Sequence, residues 1–189
     1  MCADRAALCG APIGGRSISL VGLMGVGKTT IGRRLAKRLG MRFFDSDEEI
    51  EKASGRTVKG YFQSHGEQAF RAGECRVITR LLGGGPIVLG TGGGAFIPDA
   101  TRAILSENSI TIWLKADFDT NMERVNRKRE KRPLLDVDDP EAAMRALADA
   151  RYPIYAKAHL CVKAGACSHA TTVGRVVEAI EEYLEASDA

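Results

Sequence analysis

No stretch of the 189-residue chain is apolar for long enough to cross a bilayer, which takes about 20 consecutive residues. Met1 to Arg16 lacks the continuous apolar centre of a secretion signal and is expected to be a frayed leader. The five cysteines, Cys2, Cys9, Cys75, Cys161 and Cys167, include no C-x-x-C pair. The histidines, His65, His159 and His169, are isolated and include no pair at metal-ligand spacing. An odd, scattered cysteine set argues against a disulfide framework and suits a reducing compartment, so a cytoplasmic protein is expected. Repeats, linkers and low-complexity segments are absent too. So is a strong charge of either sign: the net charge of +3 fits a small anionic ligand without demanding nucleic acid. What remains is one domain, residues 17–189, 44 % apolar and long enough to bury roughly 70 % of its unfolded surface.

The stretch that organises this domain runs from Ser17 to Arg34. An apolar run, Ser17–Val21, predicts a strand buried on both faces. Gly22-Leu23-Met24-Gly25-Val26-Gly27-Lys28-Thr29 follows and fits G-x-x-x-x-G-K-[ST]. Lys28–Leu39 then predicts a helix with Ile31, Leu35, Ala36 and Leu39 on one face and Gly40 as its stop. Glycines let the loop curl with its N–H groups inward, as an anion nest. The helix adds its N-terminal amides and partial positive charge. Lys28 would reach the outer phosphates of a nucleotide, and the Thr29 hydroxyl could ligate Mg²⁺.

Phe43-Phe44 predicts a second strand, with Asp45 and Asp47 where it ends. Two residues apart in extended chain, both carboxylates can face one cleft. One could hold the water shell of Mg²⁺ while the other accepts a hydrogen bond from a substrate hydroxyl. Asp47 could also simply cap a helix beginning at Glu48. A short helix over Val58–His65 is followed by one opening at Gly66 and running to about Leu82, its buried face drawn from Ala69, Phe70, Val77, Ile78, Leu81 and Leu82. Arg71 near its start has two readings: a surface ion pair with Glu67, four residues back, or a two-pronged grip on a substrate carboxylate.

Ile87–Leu89 reads as a parallel-sheet strand ending in Gly90-Thr91-Gly92-Gly93-Gly94. Such glycines serve tight packing or a close backbone approach to a ligand. The P-loop, Asp45/Asp47 and Gly92–Gly94 all follow strands, where α/β sheets bind ligands, so the three could line one cleft. Helices are expected at Pro98–Glu107, from about Thr120, at Glu141–Ala150 and at Thr171–Ala186, and strands at Ser109–Leu114 and His159–Val162. Trp113 reads as packing. A basic run holds Arg124, Arg127, Lys128, Arg129, Lys131 and Arg132, then Pro133-Leu134-Leu135 and an acidic loop. No aromatics interleave it, which favours a cationic lid over residues 124–139, one that brings arginine to a transferring group, over a nucleic-acid patch. Arg151 is either a second anion clamp or a surface residue.

These blocks, GLMGVGKTTIGRRLA, FFDSDEEIE, GEQAFR, GTGGGAF and RPLL followed by RYPIYA, resemble in order and spacing those of the shikimate kinases, P-loop enzymes related in fold to nucleoside monophosphate kinases. The resemblance implies a three-layer α/β fold: a five-stranded parallel sheet with helices on both faces, a lid and a substrate-binding segment. It implies that Gly25, Val26, Gly27, Lys28, Thr29 and Thr30 hold the ATP phosphates. Mg²⁺ would be held by Thr29 and, through water, by Asp45. Asp47 would bind the shikimate hydroxyls and orient or deprotonate the attacking one. Arg71 and Arg151 would hold the shikimate carboxylate, Gly93 within Gly92–Gly94 would approach it through its backbone, and Arg132 would sit by the transferred phosphoryl group. Two places depart from the family pattern. Arg124 and Arg127 compete for the place of a further lid arginine, and the loop Lys163–Ser168 lacks the proline often found beside the adenine.

The expected reaction is transfer of the ATP γ-phosphoryl group to the 3-hydroxyl of shikimate, on the aromatic-precursor pathway. Lys28, Asp47 and Arg132 are the expected catalytic residues. The expected partners are ATP and shikimate, with no nucleic acid or membrane, and a monomeric state. Two rivals remain. One is a gluconate kinase-like enzyme, which explains the P-loop. A non-catalytic nucleotide switch is disfavoured by the missing N-K-x-D motif and by the basic lid.

Overall fold

The computed structural model describes residues 13, 15–126, 137–165 and 167–187. Five strands form one sheet in the order β2-β3-β1-β4-β5. They are β1 (Ser17–Val21), β2 (Arg42–Asp45), β3 (Ile87–Gly90), β4 (Ser109–Lys115) and β5 (Leu160–Lys163), and every neighbouring pair is parallel. β1 lies at the centre, its Ile18 level with Val88 of β3 and Ile110 of β4. Its five residues are all buried, which is why the run shows no polar alternation.

The pleat divides the core in two. Ile18, Leu20, Val88, Ile110, Ile112 and Leu114 point to the face covered by α1 (Lys28–Leu39) and α7 (His169–Ser187). Val21, Ile87, Leu89 and Trp113 point to the other face. There they meet Ile78 of α3 (Val58–Leu82), Leu105 of α4 (Asp99–Asn108), Val125 of α5 (Phe118–Asn126) and Met144 of α6 (Pro140–Tyr155). These are the three expected layers. Ile13, in the stretch expected to be frayed, is buried in the first of the two cores. The chain leaves β1 for the edge strand β2, returns to β3, then crosses to β4 on the other side of β1. The reversal opens a crevice at the carboxyl ends of the central strands.

Several helix boundaries differ from expectation; α7, for one, begins at His169 instead of Thr171. α2 (Ser46–Ser54) starts at Ser46, because Asp45 is its cap: the Asp47 N–H donates to Asp45 Oδ1 at 3.1 Å. Asp47 is therefore in the first turn, not the cap. α6 runs on past Ala150 to Tyr155 through Pro153. That proline lies on the exposed side of the last turn, where one lost backbone bond matters least. α5 begins at Phe118 instead of Thr120. The expected break at Gly66 is present inside α3, at φ 77°, ψ 173°. Among the described residues no helix is long and apolar enough to cross a membrane.

Candidate active site

The P-loop curls as its glycines allow, with positive φ at Gly22, Gly25 and Gly27. Gly25 has a second reason to lack a side chain: a Cβ there would lie 2.9 Å from the Asn121 carbonyl and from the Val125 side chain of α5. Gly27 caps α1 without a side-chain acceptor, so the first amides of the helix stay available to an anion. Val26 is buried, while Gly25, Thr29 and Thr30 reach the surface to differing degrees. Lys28 Nζ donates to the Gly22 carbonyl at 2.7 Å and the Leu23 carbonyl at 2.9 Å. Its ammonium is thus held over the loop.

The strand-end carboxylates meet the P-loop directly. Thr29 Oγ1 donates to Asp45 Oδ2 at 2.7 Å, so Asp45 serves both as helix cap and as partner of the P-loop hydroxyl. A hydroxyl and a carboxylate in contact are hard oxygen donors of the kind Mg²⁺ takes, with phosphates and waters completing its shell. Asp47, two residues on, is held differently. Burial, with the carboxylates of Asp45 and Glu74 close by, pushes its pKa up from 3.8 to about 6, against the opposing pull of Lys28 and Arg71.

The glycine loop after β3 is where the other expected residues converge. A Cβ on Gly92 would come within 2.6 Å of Asp47 Oδ1 and 3.1 Å of Glu74 Oε1. One on Gly93 would face Arg151 Nη1 at 3.7 Å and the P-loop Met24 amide at 3.6 Å, and one on Gly94 would run into the Arg71 guanidinium. The three glycines therefore touch three different functional side chains. Arg151 Nη1 donates to the Gly93 carbonyl at 3.2 Å, and Tyr155 Oη donates to the same oxygen. The ion-pair reading of Arg71 holds, with a second carboxylate added to it. Arg71 pairs with Glu67 at 3.2 Å and, more closely, with Glu74 at 2.6 Å, its side chain 20 % exposed beside the Phe62 and Phe70 rings. Glu74 is 1 % exposed, and its Oε1 has no protein partner among the described residues. Burial raises its pKa, while Arg71 pulls the other way. Asp47, Arg71 and Arg151 thus gather around the Gly92–Gly94 loop beside the P-loop.

Known proteins resemble this chain over most of its length. The profile of the family described as Shikimate kinase matches residues 24–181. A shikimate kinase of Bradyrhizobium diazoefficiens is 50 % identical over 172 residues, 91 % of this chain and 83 % of that protein. One of Nitrobacter winogradskyi is 56 % identical over 152 residues, 80 % of this chain and 71 % of that one. Among solved structures, a shikimate kinase from Acinetobacter baumannii in complex with shikimate superposes with a TM-score of 0.84 at 36 % identity, covering 88 % of this chain and 93 % of that one. The chain belongs to the shikimate kinase family. A gluconokinase from Sinorhizobium meliloti, 16 % identical with a TM-score of 0.61, shares the fold alone.

Three residues around the Gly92–Gly94 loop, Ser46, Glu74 and Tyr155, were not marked out in the sequence. Ser46 accepts a bond from the Gly92 N–H at 2.9 Å. Glu74 lies four residues from both Phe70 and Ile78, so the helical period already placed it on the buried face of α3; that was the available signal. Tyr155 stands one turn after Arg151, visible only once α6 is known to continue past Ala150. Arg124 donates to the carbonyls of Val26 at 3.5 Å and Gly165 at 3.1 Å, bridging the P-loop and the loop before α7. His169, at the start of α7, faces Gly27: its Nε2 would be 3.9 Å from a Cβ there. Arg127, Arg132 and most of the expected lid lie outside the described residues.

Proposed function

We propose that this chain transfers the γ-phosphoryl group of ATP to the 3-hydroxyl of shikimate, giving shikimate 3-phosphate and ADP. The acceptor oxygen forms a bond to the γ-phosphorus as the bond from that phosphorus to the bridging oxygen of ADP breaks. Such a transfer needs positioning and charge neutralisation more than covalent participation by the protein. The amides of Gly25–Thr30 cradle the phosphates, and Lys28 moves from its loop carbonyls onto the outer ones. The Thr29 hydroxyl and, through water, Asp45 would hold Mg²⁺, which would supply neutralisation of phosphate charge. Arg132 adds positive charge at the group in transit.

On the acceptor side, Arg71 and Arg151 hold the carboxylate, and the backbone at Gly93 lies against the ring. Asp47 accepts the proton of the 3-hydroxyl; a carboxylate with a pKa near 6 is a better base than an ordinary aspartate and is still ionised at neutral pH. Glu74 keeps Arg71 aimed at the acceptor. The gathering of Asp47, Arg71 and Arg151 around the Gly92–Gly94 loop beside the P-loop is the observation that carries this reading. The chain is taken as a cytoplasmic monomer with no nucleic-acid or membrane partner and a lid over about 124–139.

A coupled ADP-release assay with ATP and Mg²⁺ tests the proposal. Turnover is expected with shikimate and at least about a hundredfold less with D-gluconate, which offers a carboxylate to the arginines but has no ring to fix a hydroxyl before Asp47. Equal turnover with gluconate would replace shikimate as the acceptor. Nucleotide binding without acceptor-dependent turnover would favour a switch.

A further inference from the structure

The three-glycine loop has no side chain with which to hold its own shape, and glycine loses more freedom than any other residue when fixed. Something outside the loop must therefore set its conformation. Two buried hydroxyls do so from opposite sides. Ser46 is 0 % exposed and Tyr155 is 1 % exposed. Ser46 Oγ accepts from the Gly92 N–H at 2.9 Å, and Tyr155 Oη donates to the Gly93 carbonyl. Between them the Gly92 carbonyl is taken by the Ala95 N–H at 3.1 Å. Three successive peptide planes are thereby oriented. Because a trans peptide carries its C=O and N–H on opposite sides, a Gly93 carbonyl held toward α6 turns the Gly94 N–H the other way.

We propose that Ser46 and Tyr155 are a two-sided clamp on the Gly92–Gly94 loop, and are positioning residues for the acceptor. This rests on the reading that the loop lies against shikimate. The placement of the two residues in the sequence fits such a task. Ser46 sits between Asp45 and Asp47 on α2, and Tyr155 follows Arg151 by one turn on α6. Each clamp residue is thus carried by an element that also delivers an acceptor-side charge. The loop joins those two elements and sets the spacing between Asp47 and Arg151. There is little slack: Asp47 Oδ1 already lies where a Gly92 Cβ would crowd it.

The two residues do different chemical work. Ser46 is needed as an acceptor, which threonine can replace and alanine cannot. Tyr155 is needed as a donor, and burial, which pushes its pKa up to about 12, keeps its proton in place. Arg151 also bonds the Gly93 carbonyl. Without the Tyr155 hydroxyl that carbonyl depends on Arg151 alone, and the guanidinium is drawn away from the acceptor carboxylate.

Steady-state kinetics on Ser46→Ala, Ser46→Thr, Tyr155→Phe and the alanine–phenylalanine double variant, with Arg71→Ala as a benchmark, test the clamp. Losing one buried partner should raise the shikimate KM about tenfold in Ser46→Ala and in Tyr155→Phe. The KM for ATP should change by less than about twofold, and Ser46→Thr should return close to wild type. The double variant should raise the shikimate KM by less than the product of the single effects, because both residues hold one loop. A merely structural role would lower the melting temperature and leave both KM values alone. Tyr155→Phe changes no shape, so it carries the test even should Ser46→Ala fold poorly. If Arg71→Ala raises the shikimate KM and neither clamp variant does, the clamp is wrong and the site reading survives. If Arg71→Ala also leaves it unchanged, the site reading itself has failed.

Discussion

Asp47 is the residue at which stability and chemistry pull apart. Its carboxyl is buried beside two other carboxylates, which raises its pKa from 3.8 to about 6. A raised acid pKa means that the folded protein disfavours the ionised form. The cost to the fold is full above about pH 6, shrinks as the pH falls, and is gone below 3.8. At about 1.4 kcal/mol per pH unit it amounts to roughly 3 kcal/mol at neutral pH. Asp47→Asn should therefore melt higher than wild type at pH 7.5, and the difference should shrink toward pH 4. Thermal melts at the two pH values check this. The same variant should lose at least about a hundredfold in kcat, since a general base contributes on that order. In the wild-type protein, kcat/KM for shikimate should fall on the acid side with an apparent pKa near 6. The pair Asp45/Asp47 was legible from its spacing after a strand, but which of the two caps the helix was not. Either carboxylate can accept a first-turn amide, and only the start of α2 at Ser46 gives that task to Asp45.

Among the elements, α3 carries two of the residues proposed for the acceptor side, Arg71 and Glu74. Gly66 divides it, with φ 77° and ψ 173°, a region open almost only to glycine. Before the break lie Tyr61 and Phe62; after it lie Phe70, Arg71 and Glu74. The break lets Phe62 stack on Phe70 at 4.3 Å between ring centres and lie beside the Arg71 guanidinium. Gly66→Ala should cost about 1–3 kcal/mol through backbone strain alone, although a Cβ there would touch nothing. Gly73→Ala is the control: it lies in regular helix with the Tyr61 hydroxyl 3.7 Å from its Cβ position. It should stabilise by about 0.5–1 kcal/mol. Chemical denaturation of both variants separates the two cases. This break was readable in advance, because Gly66 interrupts the apolar pattern between Val58 and Leu82. The end of α6 was not. Pro153 signals a stop, yet in the last exposed turn it is tolerated, and the helix carries Tyr155 back to the Gly93 carbonyl.

At the scale of the whole molecule, the strand order β2-β3-β1-β4-β5 gathers distant pieces of chain. Residues 24, 47, 71, 93 and 151 gather around the glycine loop because β1 and β3 are neighbours and α6 reaches the Gly93 carbonyl. Strand positions could be read from apolar runs and turn glycines. Their lateral order could not, since buried parallel strands look alike in sequence and only packing ranks them. The P-loop was legible because its chemistry needs particular residues at fixed spacing. Ser46 and Tyr155 were not, because a serine or tyrosine hydroxyl bonded to backbone leaves no pattern. The central claim is that one hollow holds the acceptor between α2, α3, the Gly92–Gly94 loop and α6. Calorimetric titration of shikimate into wild type, Arg71→Ala and Arg151→Ala, with titration of a non-hydrolysable ATP analogue as the companion, tests it most directly. Losing a charged partner costs about 1.5–3 kcal/mol. Each variant should therefore bind shikimate at least about tenfold more weakly and the nucleotide as wild type does. Undiminished shikimate affinity in both variants would contradict the account.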